Sequence, residues 1–212
     1  WAGTWEDLIQ QSQRQVRDLV TKPGSAQTQY GAHFTAFMDE KAIERAGIAP
    51  LMKDIARVRA IRDKTEFARF MGSTYDEFGI SLFGGSPYAD TANPNLNVLW
   101  LYQGGLGMPE RDYYLSDKFA KQRAAYQAYI TRTFRTLGVA NPAEAASRVM
   151  VFETYVAQLS WKPDERRDLA RINNPMSSAE LATYAPGIDW AAYFGGMNVP
   201  PQERIIVNEN TE

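Results

Sequence analysis

Apolar residues recur at intervals of three and four positions along most of the chain, which is the spacing of one helix face. Trp5, Leu8 and Ile9 open the first such stripe, with Glu6 and Asp7 in its first turn. Residues that favour helix starts, namely Ser, Thr, Asp, Asn and Pro, precede the stripes. The predicted helices begin at or near Thr4, Ser25, Pro50, Asp63, Ser116, Asn141, Ser177 and Asp189. The helix from Ser25 is predicted to end at Gly47, the one from Asp63 near Gly79, and the one from Asp189 before Gly195-Gly196.

Two of these starts carry additional signals. The segment 141–144 combines an asparagine N-cap, a first-turn proline and a glutamate placed to complete a capping box. Ser177 and Glu180 have the spacing of a second capping box. The apolar residues predicted to line the helix after Asn141 are Val149, Phe152, Val156 and Leu159.

The pattern changes to β-formers in the middle of the chain. Residues 80–88 and 96–103 favour strands, and the turn-forming residues 90–95 lie between them, so a β-hairpin is predicted. Residues 205–207 are a candidate for a short C-terminal strand. With no repeat, linker or low-complexity segment, the prediction is one mainly α domain over 1–212: a multi-helix lobe with one β-hairpin and this short strand.

A glycine-rich turn follows the hairpin. Gly104, Gly105 and Gly107 allow a sharp change of direction, and Pro109 prevents a regular element from continuing. The turn is predicted to be a rigid corner between a strand and a helix. A phosphate-binding loop is the alternative, but neither a G-x-G-x-x-G nor a Walker pattern is present.

Composition excludes several classes of function. The 212 residues carry 23 basic and 25 acidic side chains, a net charge of −2, which gives no reason to expect nucleic acid or an anionic membrane as a partner. No run of 18 apolar residues is present to span a bilayer. The absence of cysteine excludes disulfides and thiol nucleophiles in this chain.

Candidate catalytic residues are few. His33 is the only histidine, so the two-histidine zinc motif H-E-x-x-H cannot be built, and His33 is predicted to lie on a helix surface. Neighbouring carboxylates occur at Asp39-Glu40, Asp76-Glu77 and Asp164-Glu165. Adjacent positions point to different faces, so these pairs are predicted to be solvated surface charges.

A basic cluster lies late in the chain, close to several acids. An ion-pair network that fixes a loop is predicted, with Trp161 stacking on an arginine, and a phosphate or nucleic-acid site is the alternative. The cluster comprises Lys162, Arg166, Arg167 and Arg171, with Asp164, Glu165 and Asp168 nearby.

Five segments in collinear order resemble one known family. The turn G-G-L-G-M-P-E-R-D-Y-Y-L at 104–115 is similar to the G-L-G-x-P-x-R-D-Y-Y motif of the N-terminal lobe of neprilysin-family zinc metallopeptidases. The M-D-x-x-x-I-x-x-x-G-x-x-P-L pattern of that family is similar to residues 38–51. Its E-x-x-x-A-x-x-S-W, R-R-D and N-x-M-s-x-A-E-L patterns are similar to 153–161, 166–168 and 174–181.

The resemblance implies that the chain is most of the N-terminal lobe of a neprilysin-like zinc metalloendopeptidase. The zinc ligands would lie in a C-terminal catalytic lobe beyond Glu212, so this chain would bind no metal and would be inactive by itself. Its partners would be that lobe and peptide substrates, because the N-terminal lobe encloses a cavity that excludes folded proteins. The absence of cysteine is more similar to bacterial members. A periplasmic or secreted location is implied, with a cytoplasmic one left open.

One substrate-cavity residue carries over from the resemblance. The family contributes an arginine, an acid five positions later and an arginine three positions further to the cavity wall. The acid falls on Glu6, while the arginine positions fall on Trp1 and Ile9 and are departures. Two alternatives to the lobe remain: a free-standing helical module that binds peptides or proteins without catalysis, and a hydrolase that uses carboxylates alone.

Overall fold

Helices dominate the computed structural model, which describes residues 2–75 and 81–209. The mainly α prediction is confirmed. The helices in these residues are α1 Ala2–Thr21, α2 Gln29–Phe37, α3 Glu40–Ala46, α4 Met52–Ala60, α5 Lys64–Ser73, α6 Asp112–Leu115, α7 Ala120–Thr136, α8 Pro142–Leu159, α9 Ser178–Tyr184 and α10 Trp190–Gly196. The strands are β1 Phe83–Ala89, β2 Asn97–Gln103, β3 Asn174–Met176 and β4 Ile205–Val207.

The chain forms two compact units whose boundary falls between Ala56 and Arg57, within α4. In the first unit α1 and α2 pack together with a short 3₁₀ turn between them. The single helix predicted from Ser25 is wrong, because Asp39 interrupts it. The Asp39 carboxylate accepts a hydrogen bond from the Ala42 amide at 2.9 Å and so caps a separate helix, α3.

The second unit contains a four-stranded sheet with the order β1-β2-β4-β3. β1 and β2 form the predicted antiparallel hairpin, with Phe83 opposite Gln103. β4 confirms the predicted C-terminal strand and lies parallel to β2, with Ile206 opposite Trp100. β3 was not predicted, and it pairs antiparallel with β4 at the edge of the sheet.

Helices α5, α9 and α10 supply most of the apolar core that packs with this sheet. Phe83, Trp190 and Tyr193 form an aromatic group, with the ring centres of Phe83 and Tyr193 4.7 Å apart. Such pairs add to the free energy gained by burying the rings. The buried members of the core are Ala68, Met71, Leu99, Leu101, Leu181, Trp190, Ala192, Tyr193, Phe194 and Ile205.

The predicted helix starts have mixed outcomes. Ser177 and Glu180 form the predicted capping box, with hydrogen bonds of 3.2 and 2.7 Å. Asn141 does precede α8, but its backbone is left-handed (φ 49°) and its side chain caps nothing, so the capping box predicted at 141–144 is wrong. α5 begins after Asp63 as predicted and ends at Ser73; its expected end near Gly79 lies outside the described residues.

A partly buried ion pair fixes the tip of the hairpin. The Arg204 guanidinium donates to both carboxylate oxygens of Asp90 at 2.8 and 2.9 Å, and the Asp90 side chain is only 5% exposed. The hydrogen bond from Arg204, followed by one from the Ala92 amide, lowers the pKa of Asp90 below its ordinary value of 3.8.

We expect Asp90→Asn to reduce the loss of stability in acid. A carboxyl with a lowered folded pKa stabilises the fold above its unfolded pKa, and this contribution is lost as pH falls through the folded value. The free energy of unfolding should therefore fall less steeply below pH 3.8 in the variant than in the wild type. Urea unfolding along a pH series measures this, and parallel acid profiles would contradict it.

Candidate functional site

The glycine turn leads from β2 into α6 and is anchored at both ends. Gly104 donates its amide hydrogen to the Leu82 carbonyl at 2.9 Å. Gly105 has a φ of +84°, a conformation that side chains disfavour. After Pro109, the Arg111 side chain donates to the Ala157 carbonyl of α8 at 3.2 Å. The structure therefore agrees with the predicted corner between a strand and a helix.

Glu153 on α8 holds this turn from the inside. Its carboxylate is buried and accepts hydrogen bonds from the Tyr114 hydroxyl at 2.5 Å, the Tyr126 hydroxyl at 3.1 Å and the Gly107 amide at 3.3 Å. The Tyr114 hydroxyl in turn accepts from the Met108 amide at 2.8 Å. We call these five residues the Glu153 cluster; it joins the turn to α6, α7 and α8.

The tyrosines of the cluster remain protonated well above neutral pH. Burial, reinforced by the Glu153 carboxylate, raises the pKa of Tyr126 from 10.0 to about 12. Burial and the hydrogen bond to Glu153 raise the pKa of Tyr114. A tyrosine with a raised pKa is a poor proton donor or acceptor at pH 7. Their hydrogen bonds to Glu153 and to the Met108 amide organise the turn.

The spacing of small residues around Glu153 in the sequence indicates that this side chain is buried. Ala146, Glu153 and Ala157 lie seven and four positions apart, so they share one face of α8, and the structure buries all three. The predicted apolar face is wrong in part, because Phe152 and Leu159 are exposed. A glutamate on a face of small residues indicates a buried polar contact.

We expect Gly107→Ala to cost about 2 kcal/mol, because the new methyl group displaces Tyr126. A Cβ at this position would lie 1.8 Å from the Tyr126 hydroxyl oxygen. Tyr126→Phe removes that oxygen, so the double variant should lose less stability than the sum of the single variants. Gly187→Ala is the control, since its Cβ would meet no atom within 4 Å. Additive losses measured by urea unfolding would contradict this account.

The basic cluster contains one ion pair of the predicted kind, between Arg171 and Glu165. Arg171 contacts Glu165 at 3.2 Å, and its guanidinium lies 4.5 Å from the centre of the Trp161 ring, as predicted. Arg166 pairs instead with Glu209 at 2.9 Å, a partner that was not predicted. The amide of Lys162, followed by Arg171, lowers the pKa of Glu165.

The remaining candidate residues are not members of the Glu153 cluster. His33 is exposed on α2, and Glu6 is exposed on α1, where it accepts a hydrogen bond from Gln10 at 3.2 Å. Asp39 caps α3 with its carboxylate and Glu40 is exposed; the pair Asp76-Glu77 lies outside the described residues. The cavity role of Glu6 stays a prediction.

A zinc ion has no suitable ligands in the described part of this chain. Within residues 2–75 and 81–209, there is no group of three or more His, Cys, Asp or Glu side chains that could hold a metal ion. The residues present therefore do not fit a zinc centre. In the same residues, none of the helices has the length and apolar character that crossing a membrane requires.

A comparison with protein families decides the family. The model described as "Peptidase family M13" matches residues 1–211. The chain belongs to peptidase family M13. This confirms the resemblance to neprilysin-like enzymes and identifies the M13 chain as the N-terminal part of such a peptidase.

Known M13 relatives are much longer than this M13 chain. Endothelin-converting enzyme 1 of Bos taurus is 29% identical over 225 residues, which cover 98% of this chain and 29% of that protein. Neprilysin-3 of Drosophila melanogaster is 26% identical over 231 residues, 97% of this chain and 29% of its own length. The M13 chain thus spans less than a third of the curated relatives that it matches.

Solved structures share the fold. The zinc metalloprotease Zmp1 of Mycobacterium tuberculosis, in complex with an inhibitor, has a TM-score of 0.87 and 27% identity over 96% of this chain and 33% of that chain. PepO from Lactobacillus rhamnosis has a TM-score of 0.68 over 98% of this chain and 34% of that one. Its 16% identity shows a likeness of fold alone.

Proposed function

We propose that the M13 chain is the substrate-capping lobe of a zinc metalloendopeptidase and that residues 1–212 act as one domain. The observation that carries this proposal is the match of the family model to residues 1–211. The chain covers 33% of the zinc metalloprotease Zmp1, so the proposal concerns one part of a larger protein. The lobe would enclose a cavity together with the catalytic lobe of the same protein. Cleavage would thereby be restricted to peptides.

The chemistry of bond cleavage would belong to the rest of the parent protein. This chain contributes one histidine and no cysteine, whereas catalytic zinc requires three protein ligands; the His33 side chain is exposed on a helix. We propose that the catalytic lobe binds the zinc ion. The lobe described here would select substrates by size and by the chemistry of its wall. The proposed location is outside the cytoplasm, in the periplasm or secreted.

A size-dependence assay on the purified parent protein tests this function. We expect cleavage of short fluorogenic peptides, loss of cleavage with a metal chelator and its return with zinc. The same peptide sequence placed inside a folded carrier protein should resist cleavage. Residues 1–212 alone should cleave neither substrate. Cleavage by that fragment in the presence of chelator would overturn the proposal, and peptide binding by a parent that cleaves nothing would favour a binding module.

We expect Glu6→Gln to change the charge preference of the parent enzyme. If Glu6 lines the cavity, its carboxylate favours peptides that carry a basic residue, so the variant should lower kcat/KM for a lysine-containing peptide more than for its neutral counterpart. Asp7→Asn, one position along α1, is the matched control. An unchanged ratio of the two kcat/KM values would remove Glu6 from the cavity wall.

A further inference from the structure

One segment of the second unit is rich in basic residues and has no acidic ones. Residues 118–143 contain five basic side chains and no Asp or Glu, in a chain that has 25 acidic residues among 212. Helix α7, Ala120–Thr136, carries four of the five. The net charge of −2 is an average over the whole chain, so it does not reveal this local excess of positive charge.

Exposed cations form a row on the outer face of α7. Lys121, Arg132 and Arg135 are exposed, and at 3.6 residues per turn they fall within about 60° of the helix circumference. The buried Ile130 lies on the opposite side of the helix. Lys118, which is also exposed, lies three positions before Lys121. We call Lys118, Lys121, Arg132 and Arg135 the α7 basic row; its helical part is about 21 Å long.

The charge of the α7 basic row is not compensated by acidic neighbours. None of its four side chains forms an ion pair with another described residue. The acids that flank the segment pair elsewhere, since Asp117 lies 4.0 Å from Arg123 and Glu144 pairs with Arg148 on α8. A row of exposed, uncompensated cations attracts a surface of opposite charge.

The geometry of the row favours an extended anionic surface over a small ligand. Lys121 lies about 16 Å along the helix from Arg132, so one small anion cannot contact both side chains. The cations lie on the convex side of the helix, away from its packed face. A bilayer that contains anionic lipids presents negative charge over a plane, and each Lys or Arg near such a surface strengthens binding about fivefold.

We propose that the α7 basic row binds the anionic head groups of a lipid bilayer. Binding is weak and reversible, because it uses charge alone and inserts no apolar side chain. The choice of lipid over nucleic acid rests on the proposed function, which places the protein outside the cytoplasm. Four cations also neutralise few phosphates of a nucleic acid, whose charges are spaced about 1.7 Å apart. The peptidase activity itself is not required.

Co-sedimentation of the intact parent protein with vesicles tests the proposal. We expect binding to phosphatidylglycerol vesicles that weakens as salt is added, and no binding to phosphatidylcholine vesicles. Arg132→Gln combined with Arg135→Gln should weaken binding about 25-fold, because two cations are lost. Arg59→Gln combined with Arg62→Gln is the matched control, since it removes the same charge from two exposed arginines that are also three positions apart. The control should stay within about twofold of the wild type.

Replacement by lysine separates charge from side-chain shape. Arg132→Lys combined with Arg135→Lys keeps both charges and should bind like the wild type; a loss as large as that of the glutamine variant would overturn the proposal. Equal weakening in the two glutamine double variants would also overturn it, as would a wild type that does not bind phosphatidylglycerol vesicles.

Two further measurements separate this proposal from its neighbours. Tighter binding to an oligonucleotide than to phosphatidylglycerol vesicles at equal salt would assign the row to nucleic acid and reject the lipid surface. Peptide cleavage is measured on the same samples without vesicles. A parent protein that binds vesicles and cleaves no peptide would support the lipid contact and reject only the proposed peptidase function.

Discussion

Gly72→Ala is expected to destabilise the protein by about 3 kcal/mol, because α5 and α10 approach too closely at this residue for any side chain. A Cβ on Gly72 would lie 2.1 Å from the carbonyl oxygen of Tyr193 and 3.1 Å from the amide of Met197. Both atoms belong to the backbone, so no change of rotamer can relieve the overlap. The helices must separate, and Tyr193, which is 1% exposed, has no free space into which to move.

The contact is reciprocal, which provides a matched pair of variants. A Cβ on Gly196 of α10 would lie 2.3 Å from the Arg69 carbonyl oxygen of α5, whereas one on the adjacent Gly195 would meet nothing within 4 Å. Gly196→Ala should therefore cost as much as Gly72→Ala. Gly195→Ala should leave stability unchanged or raise it by up to about 1 kcal/mol. Urea unfolding compares the three glycine variants. Equal unfolding midpoints for Gly195→Ala and Gly196→Ala would refute the close approach of α10 to α5.

This pair shows what the sequence could and could not predict. Gly195 and Gly196 are correctly predicted as the end of a helix, because glycine is a local signal that acts within one turn. The tertiary role of Gly196 depends on Arg69, which lies 127 positions earlier in the chain. Helix periodicity contains no information about which helix a glycine will touch. Local elements could therefore be predicted, while their crossing could not.

The strands show the same difference between local structure, which the sequence predicts, and tertiary pairing, which it does not. The hairpin from Phe83 to Gln103 combines β-forming residues with a turn in the sequence itself, so it was predicted with nearly correct bounds. Strand β3 has three residues with Pro175 in the middle, a composition that argues against a strand. It becomes a strand by pairing at the sheet edge with β4, which is about thirty residues distant. Only the tertiary structure supplies that partner.

For the candidate site, the motif was predicted but its organising residue was missed. The turn at 104–115 was identified as a packed corner from its glycines and Pro109. Glu153 was placed only at the start of a motif, since a charged residue is by default expected at the surface. Its three hydrogen-bond donors come from α6, α7 and the turn, and their convergence is a property of the fold.

The Glu153 cluster is therefore the place where a single substitution should have the largest effect on the motif. Glu153→Ala removes the acceptor for the Tyr114 hydroxyl, the Tyr126 hydroxyl and the Gly107 amide. Buried donors without an acceptor cost about 1–3 kcal/mol each, and relaxation recovers part of this. We expect a loss of about 3 kcal/mol or more in the free energy of unfolding.

Matched variants separate the carboxylate from the helix that carries it. Glu153→Gln keeps one oxygen acceptor, so it should cost less than Glu153→Ala, about 1–2 kcal/mol. Glu144→Ala removes an exposed glutamate from the first turn of the same helix, where its ion pair with Arg148 contributes roughly 0.5 kcal/mol at most. From the most to the least stable, the expected order of the variants is Glu144→Ala, Glu153→Gln and Glu153→Ala.

Hydrogen exchange in the intact parent protein locates the effect. The Gly107 amide donates to Glu153, and the Met108 amide donates to Tyr114, which Glu153 positions. Both amides should exchange faster in Glu153→Ala, while amides of β4 at the centre of the sheet should change only as far as global stability falls. Unchanged exchange at Gly107 and Met108 would mean that the turn holds its shape without the carboxylate, and the close packing around Gly107 would then be sufficient to explain the motif.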